Sequence, residues 1–154
     1  MDYLIAKWLH ILSSTLLFGT GIGSAWYMLT ASLTRDPRAV AVVVRNVVLA
    51  DWLFTTTTIV FQPLSGLYLM HAAGVPFTAR WIAWSIALYV VGLLAWLPVV
   101  VLQVRMKRIA ADAVARGEPL PARYFRCLNA WIALGVPAFF AFVGVFWLMV
   151  LKPS

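Results

Sequence analysis

Charge is what this chain has least of. Only 11% of its 154 residues are Asp, Glu, Lys or Arg, while 64% are hydrophobic, which excludes an ordinary soluble globule. Acidic residues are scarcest, five against twelve Lys and Arg, and the formal net charge is +7. In a soluble chain that excess would point to nucleic acid. Here loop placement accounts for it, and no nucleic-acid partner is expected. A single cysteine, Cys127, rules out an internal disulfide, and the chain has no CxxC or Cys/His zinc spacing. Internal repeats and low-complexity tracts are also missing.

What the sequence does contain is four long stretches without a formal charge: Trp8 to Thr34, Trp52 to Ala79, Trp81 to Val104 and Cys127 to Leu151, of 27, 28, 24 and 25 residues. A bilayer crossing needs about 20 apolar residues as a helix, so each is long enough. The first is too long for the apolar core of a signal peptide and lacks its basic start, so it reads as a retained span. The expected fold is an all-α membrane protein, a four-transmembrane-helix antiparallel bundle. It forms one membrane domain over 1–154, with helices near 3–33, 37–73, 79–116 and 122–151.

The punctuation supports these boundaries. Asp36-Pro37 is a capping residue followed by a proline at the first helical position, where no amide donor is needed. Gly74 with Pro76, and Gly117 with Pro119, are stop signals, and Thr78 is the expected cap of the third helix. Pro63, Pro98 and Pro137 fall inside helices, where kinks are expected.

An even number of crossings puts both termini on one side. Arg35, Arg38, Arg45, Arg105, Lys107, Arg108, Arg116, Arg123 and Arg126 fall at one face of the membrane, and Lys7, Arg80 and Lys152 at the other. The basic side is expected to be cytoplasmic. That makes the chain a multi-pass protein of a bacterial inner (cytoplasmic) membrane, with both termini periplasmic and lipid around it. Tyr3, Trp8, Trp26, Tyr27, Trp81, Tyr124 and Trp147 lie near span ends, as an interfacial aromatic belt requires.

Two polar stripes stand out. Lys7, His10, Ser14, Gly21 and Ser24 share one helical face, as do Asp51, Thr55, Thr58, Gln62 and Ser65. Polar groups in hydrocarbon turn inward, so the stripes are expected to face each other, with Lys7 level with Ala72 and Ser14 near Ser65. They serve either as helix–helix glue or as a ligand cavity. Asp51 needs a partner; an ion pair with Arg126 is the first expectation and a proton relay the second.

His10 is an ionisable residue inside a span, and His71 returns to the same outer leaflet. Two imidazoles at comparable depth suggest axial ligation of the iron of haem b, with Lys7, Ser14 and Arg80 as cofactor-binding residues. On an ideal helix, however, His71 is turned about 120° from Ser65, off the polar face. The alternative is an interfacial histidine, with a single-histidine site.

Lys7-Trp8-Leu9-His10-Ile11-Leu12, Phe18-Gly19, Asp51-Trp52, Gln62-Pro63-Leu64-Ser65-Gly66-Leu67 and Trp81 resemble the bacterial membrane family called domain of unknown function 2269. More distantly, Leu9-His10-Ile11, Gly66-Leu67, Phe125-Arg126 with Leu128-Asn129, and Leu151-Lys152-Pro153 resemble the haem-binding protoporphyrinogen IX oxidases of the HemJ type. That resemblance implies haem b at His10. It also implies an acidic residue after the asparagine, where this chain has Ala130-Trp131, and a lysine where it has Arg80, which cannot release a proton as lysine does.

The expected function is therefore electron transfer by a haem b protein, as a homodimer, with a quinone or a periplasmic redox partner. An enzyme of the protoporphyrinogen oxidase kind is the runner-up oxidoreductase. A non-redox small transporter or assembly subunit is the rival class.

Overall fold

In a computed structural model describing residues 1–153, the chain is helical with no strand among the described residues. The helices are α1 (Asp2–Thr34), α2 (Pro37–Ala50), α3 (Thr56–Ala72), α4 (Arg80–Arg116) and α5 (Ala122–Leu151). A π turn over Asp51–Thr55 joins α2 to α3 without a break. Four helices are thus long and apolar enough to cross a membrane: Asp2–Thr34, Pro37–Ala72, Arg80–Arg116 and Ala122–Leu151.

Their ends have identifiable causes. Arg35 takes a left-handed conformation at the end of α1. Asp36 Oδ1 then accepts from the Arg38 amide at 2.9 Å, with Pro37 opening α2. This satisfies one of the amides that the first turn of a helix leaves unpaired. Gly74 and Gly117 both have positive φ, at +64° and +67°. The amides of Val75 and Glu118 reach back to the carbonyls of Met70 and Ala113, the six-to-one closure of a glycine-terminated helix. Thr78 does not cap α4, because Ala79 immediately precedes the helix and the hydroxyl makes no hydrogen bond among the described residues.

The chain divides into two compact units. The first holds Met1–Val75 and Lys107–Leu120, and the second Pro76–Met106 with the chain from Pro121 onward. In the first, α1 lies against α2, the π turn and α3. Its buried side chains include Met28, Val40, Val44 and Val47, while Leu4, Ile5, Trp8, Leu33, Val60 and Leu64 are exposed, as lipid-facing residues should be.

In the second unit α4 and α5 run antiparallel. A Cβ on Gly92 would meet the Phe142 ring at 3.0 Å, and one on Gly144 would meet Leu88 Cδ1 at 2.9 Å, so both glycines sit where a neighbouring side chain claims the space. Where α5 ends and α4 begins, the Lys152 ammonium lies 5.6 Å from the centre of the Trp81 ring. Of the expected aromatic belt, Trp8, Trp26, Tyr27 and Trp147 are well exposed. Tyr124 is not part of it: its side chain is fully buried, in edge contact with Phe125.

Candidate functional site

The second polar stripe is present as a buried face. Asp51, Thr55, Thr58 and Ser65 are buried, and Gln62 is partly so. An unpaired hydroxyl in hydrocarbon is costly, so the hydroxyls first satisfy themselves locally. Thr58 and Ser65 donate to the carbonyls of Phe54 and Phe61, one turn back, at 2.6 and 2.7 Å.

Where α1 meets this face, His10, Ser13, Gln62 and Ser65 form one cluster. His10 Nδ1 is 2.7 Å from Ser65 Oγ. The Gln62 amide nitrogen donates to the His10 carbonyl at 2.9 Å and to the Ser13 hydroxyl. Ser13 in turn donates to the His10 carbonyl at 3.3 Å. Gly66 is next to the ring, where a Cβ would be 3.6 Å from His10 Cε1.

Ser65 Oγ is 2.7 Å from both the Phe61 carbonyl oxygen and His10 Nδ1, and its one proton serves one of them at a time. With that proton on the Phe61 carbonyl the hydroxyl accepts from Nδ1–H and Nε2 holds the lone pair; with it on Nδ1 the ring hydrogen is on Nε2. Nε2 makes no hydrogen bond among the described residues. A half-buried neutral imidazole whose Nδ1–H is held by a neighbour, with Nε2 available, is the form in which histidine ligates a metal.

The register differs from the expected one by about a turn. His10, not Ser14, is level with Ser65, so Lys7 falls about one turn short of Ala72 along α3. Ser13 takes the position expected for Ser14, whose hydroxyl returns to the Ile11 carbonyl at 2.7 Å. Ser13 lies one turn from His10 on the same face, and that i+3 spacing was the signal available for it. Lys7, His71 and Arg80 are exposed. His71 lies six residues beyond Ser65, about 9 Å further along α3 and about 120° around it. The structure brings His10, Ser13, Gln62 and Ser65 together and does not bring His71 to them. No group of three or more His, Cys, Asp and Glu that could hold a metal ion occurs among the described residues.

Further in, Asp51 opens the π turn. Thr55 Oγ1 donates to its carboxylate at 2.9 Å, and the backbone amide and the hydroxyl of Thr56 both reach the Asp51 carbonyl. Such turns insert one residue into a helix and are frequent at functional sites. Nothing in the sequence pattern marked it, because the 3,4 spacing of the stripe runs through it unchanged. Arg126, the expected ion partner, has an exposed side chain.

The family model described as "Predicted integral membrane protein (DUF2269)" matches residues 4–153, nearly the whole chain. The chain belongs to this family. The match spans all four membrane-length helices and both sides of the His10–Ser65 contact. No curated protein and no solved structure matches.

Proposed function

We propose that this member of the family is a haem b-binding protein of the bacterial inner membrane, with a redox role in the outer half of the bilayer and His10 as axial ligand. The observation that carries the reading is the 2.7 Å contact of His10 Nδ1 with Ser65 Oγ: with the serine accepting Nδ1–H, the Nε2 lone pair is left for iron. Haem iron supplies a one-electron couple. Gln62 and Ser13 fix the turn of α1 from which His10 projects, and Ser65 fixes the ring. This arrangement accommodates one imidazole ligand. His71 would have to come from another level of α3, so a second ligand is not assigned to it.

The Lys and Arg count supports both termini lying outside. Lys7, one turn from His10 on α1, is the cation of that unit available to a propionate, and a homodimer exchanging electrons with a quinone or a periplasmic protein is the assembly this role suits. A reduced-minus-oxidised spectrum of the purified protein tests the reading. Bands of b-type haem are expected, and a colourless protein from cells supplied with haem precursor would refute it.

The rival reading, a non-redox transporter or assembly subunit, is favoured by the same hydrogen bonds taken as glue between α1 and α3. It predicts that replacing His10 changes stability and no spectrum. Protoporphyrinogen oxidation is the enzymatic variant of the haem reading, and Ala130 and Arg80 stand where its acid and lysine are expected.

A further inference from the structure

Helix α2 has two opposite faces. Val40, Val44, Val47 and Val48 are buried. On the other side Arg38, Val42, Arg45, Leu49 and Trp52 follow one another at the alternating four and three spacing of one helical stripe, and all five are exposed. More than half of Leu49 and of Trp52 is uncovered, so beyond Arg45 this stripe meets lipid chains.

The depth of Arg45 follows from helix length. α2, the π turn and α3 run without a break, and from Arg45 to Ala72, where α3 ends, is 27 residues. That is about 40 Å of helix, against about 40–45 Å for a bilayer with both headgroup layers. With the end of α3 at one headgroup layer, Arg45 stands in the other. Helical side chains lean toward the start of their helix, which carries the Arg45 guanidinium away from Leu49 and out of the hydrocarbon. Arg38 is two turns, about 10 Å, further out and in water.

The anion that faces Arg45 does not come from the described residues. No Asp or Glu lies between Asp36 and Asp51. Asp36 is engaged as the cap of α2, and Asp51 sits on the buried face, where it takes the Thr55 hydroxyl. No hydrogen bond or ion pair joins the Arg45 guanidinium to a described residue. What borders a lipid-facing stripe at that depth is a phospholipid headgroup, whose phosphodiester accepts two parallel hydrogen bonds from a planar guanidinium. In a zwitterionic lipid the headgroup ammonium projects outward, to the side where Arg38 stands, and like charges repel. A headgroup without a cation avoids that repulsion.

We infer that the Arg45–Leu49–Trp52 face of α2 binds an anionic glycerophospholipid, with its phosphate on Arg45 and its acyl chains along Leu49 and Trp52. This site needs no haem and lies on the face of the first unit opposite its packed core.

The test is native mass spectrometry of the full chain in detergent, titrated separately with phosphatidylglycerol and phosphatidylcholine of identical acyl chains. Phosphatidylglycerol is expected to bind about fivefold more tightly, the worth of one arginine toward anionic lipid at a membrane surface. Arg45→Gln is expected to erase that preference, whereas Arg38→Gln, which removes the same charge further out, should keep most of it. Neither variant should change the melting temperature of the lipid-free protein, because both side chains are exposed. Equal affinity for the two lipids in the wild type would overturn the inference, as would an undiminished preference in Arg45→Gln. Equal losses in the two arginine variants would overturn it as well, since net charge alone would then account for the binding.

Discussion

His10 and Ser65 are 55 residues apart in sequence and their side chains 2.7 Å apart in space, with the Phe61 carbonyl equally close to the serine oxygen. When that carbonyl takes the serine proton, the serine takes the histidine's. The hydrogen bond ties α1 to α3 and, in that arrangement, leaves Nε2 free.

Ser65→Ala removes the acceptor for Nδ1–H and leaves a membrane-embedded donor unpaired. Groups that orient a ligating histidine are typically worth 10- to 100-fold in affinity, so haem affinity of the apo-protein should fall by about that factor. Haem titration followed by absorbance measures it, and Ser65→Thr, which keeps the hydroxyl, should stay close to wild type.

His71→Ala should leave the haem content unchanged, because the side chain is exposed and lies beyond the His10 level on α3. Haem per chain by pyridine haemochrome assay checks it. A loss equal to that of His10→Ala would restore the two-histidine site.

Thr55→Val deletes the hydroxyl that donates to the Asp51 carboxylate while keeping the volume of the side chain. A buried acceptor that loses a donor costs about 1–3 kcal/mol. Thermal unfolding in detergent should register that loss. Asp51→Asn, which still accepts from Thr55, should be milder than Asp51→Leu.

These expectations show which parts of the fold the sequence exposes. The spans were legible because Asp36-Pro37, Gly74 and Gly117 act locally, through a cap, a fixed φ and a left-handed turn. The buried face from Asp51 to Ser65 was legible because hydrocarbon forces polar residues to one side. The level of one helix against another was not. It depends on how side chains of one helix seat against the other, which no local signal carries, and a difference of one turn exchanged Ser14 for Ser13 and moved His10 onto Ser65. Tyr124 escaped for a related reason: its position near a span end suggests the interface, and only the packing of α5 shows it buried.

Gly144→Val puts branched carbon where Leu88 Cδ1 already stands, at 2.9 Å from a single Cβ. Overpacking of this kind costs about 1–3 kcal/mol. A lowered melting temperature is expected, with partial recovery in the double variant Gly144→Val with Leu88→Ala, which clears the space.

Reporter fusions at either terminus should report the non-cytoplasmic side, since nine Lys and Arg lie at the opposite face against three at this one. A cytoplasmic signal from both would invert the orientation and move the His10 cluster to the inner leaflet.

The central claim is most directly tested by the optical spectrum of the full chain and of His10→Ala, purified side by side from cells supplied with haem precursor. A Soret band that moves on dithionite reduction in the wild type, and is lost in a folded His10→Ala protein, is the predicted result. A colourless wild type, or equal haem in both proteins, would contradict it.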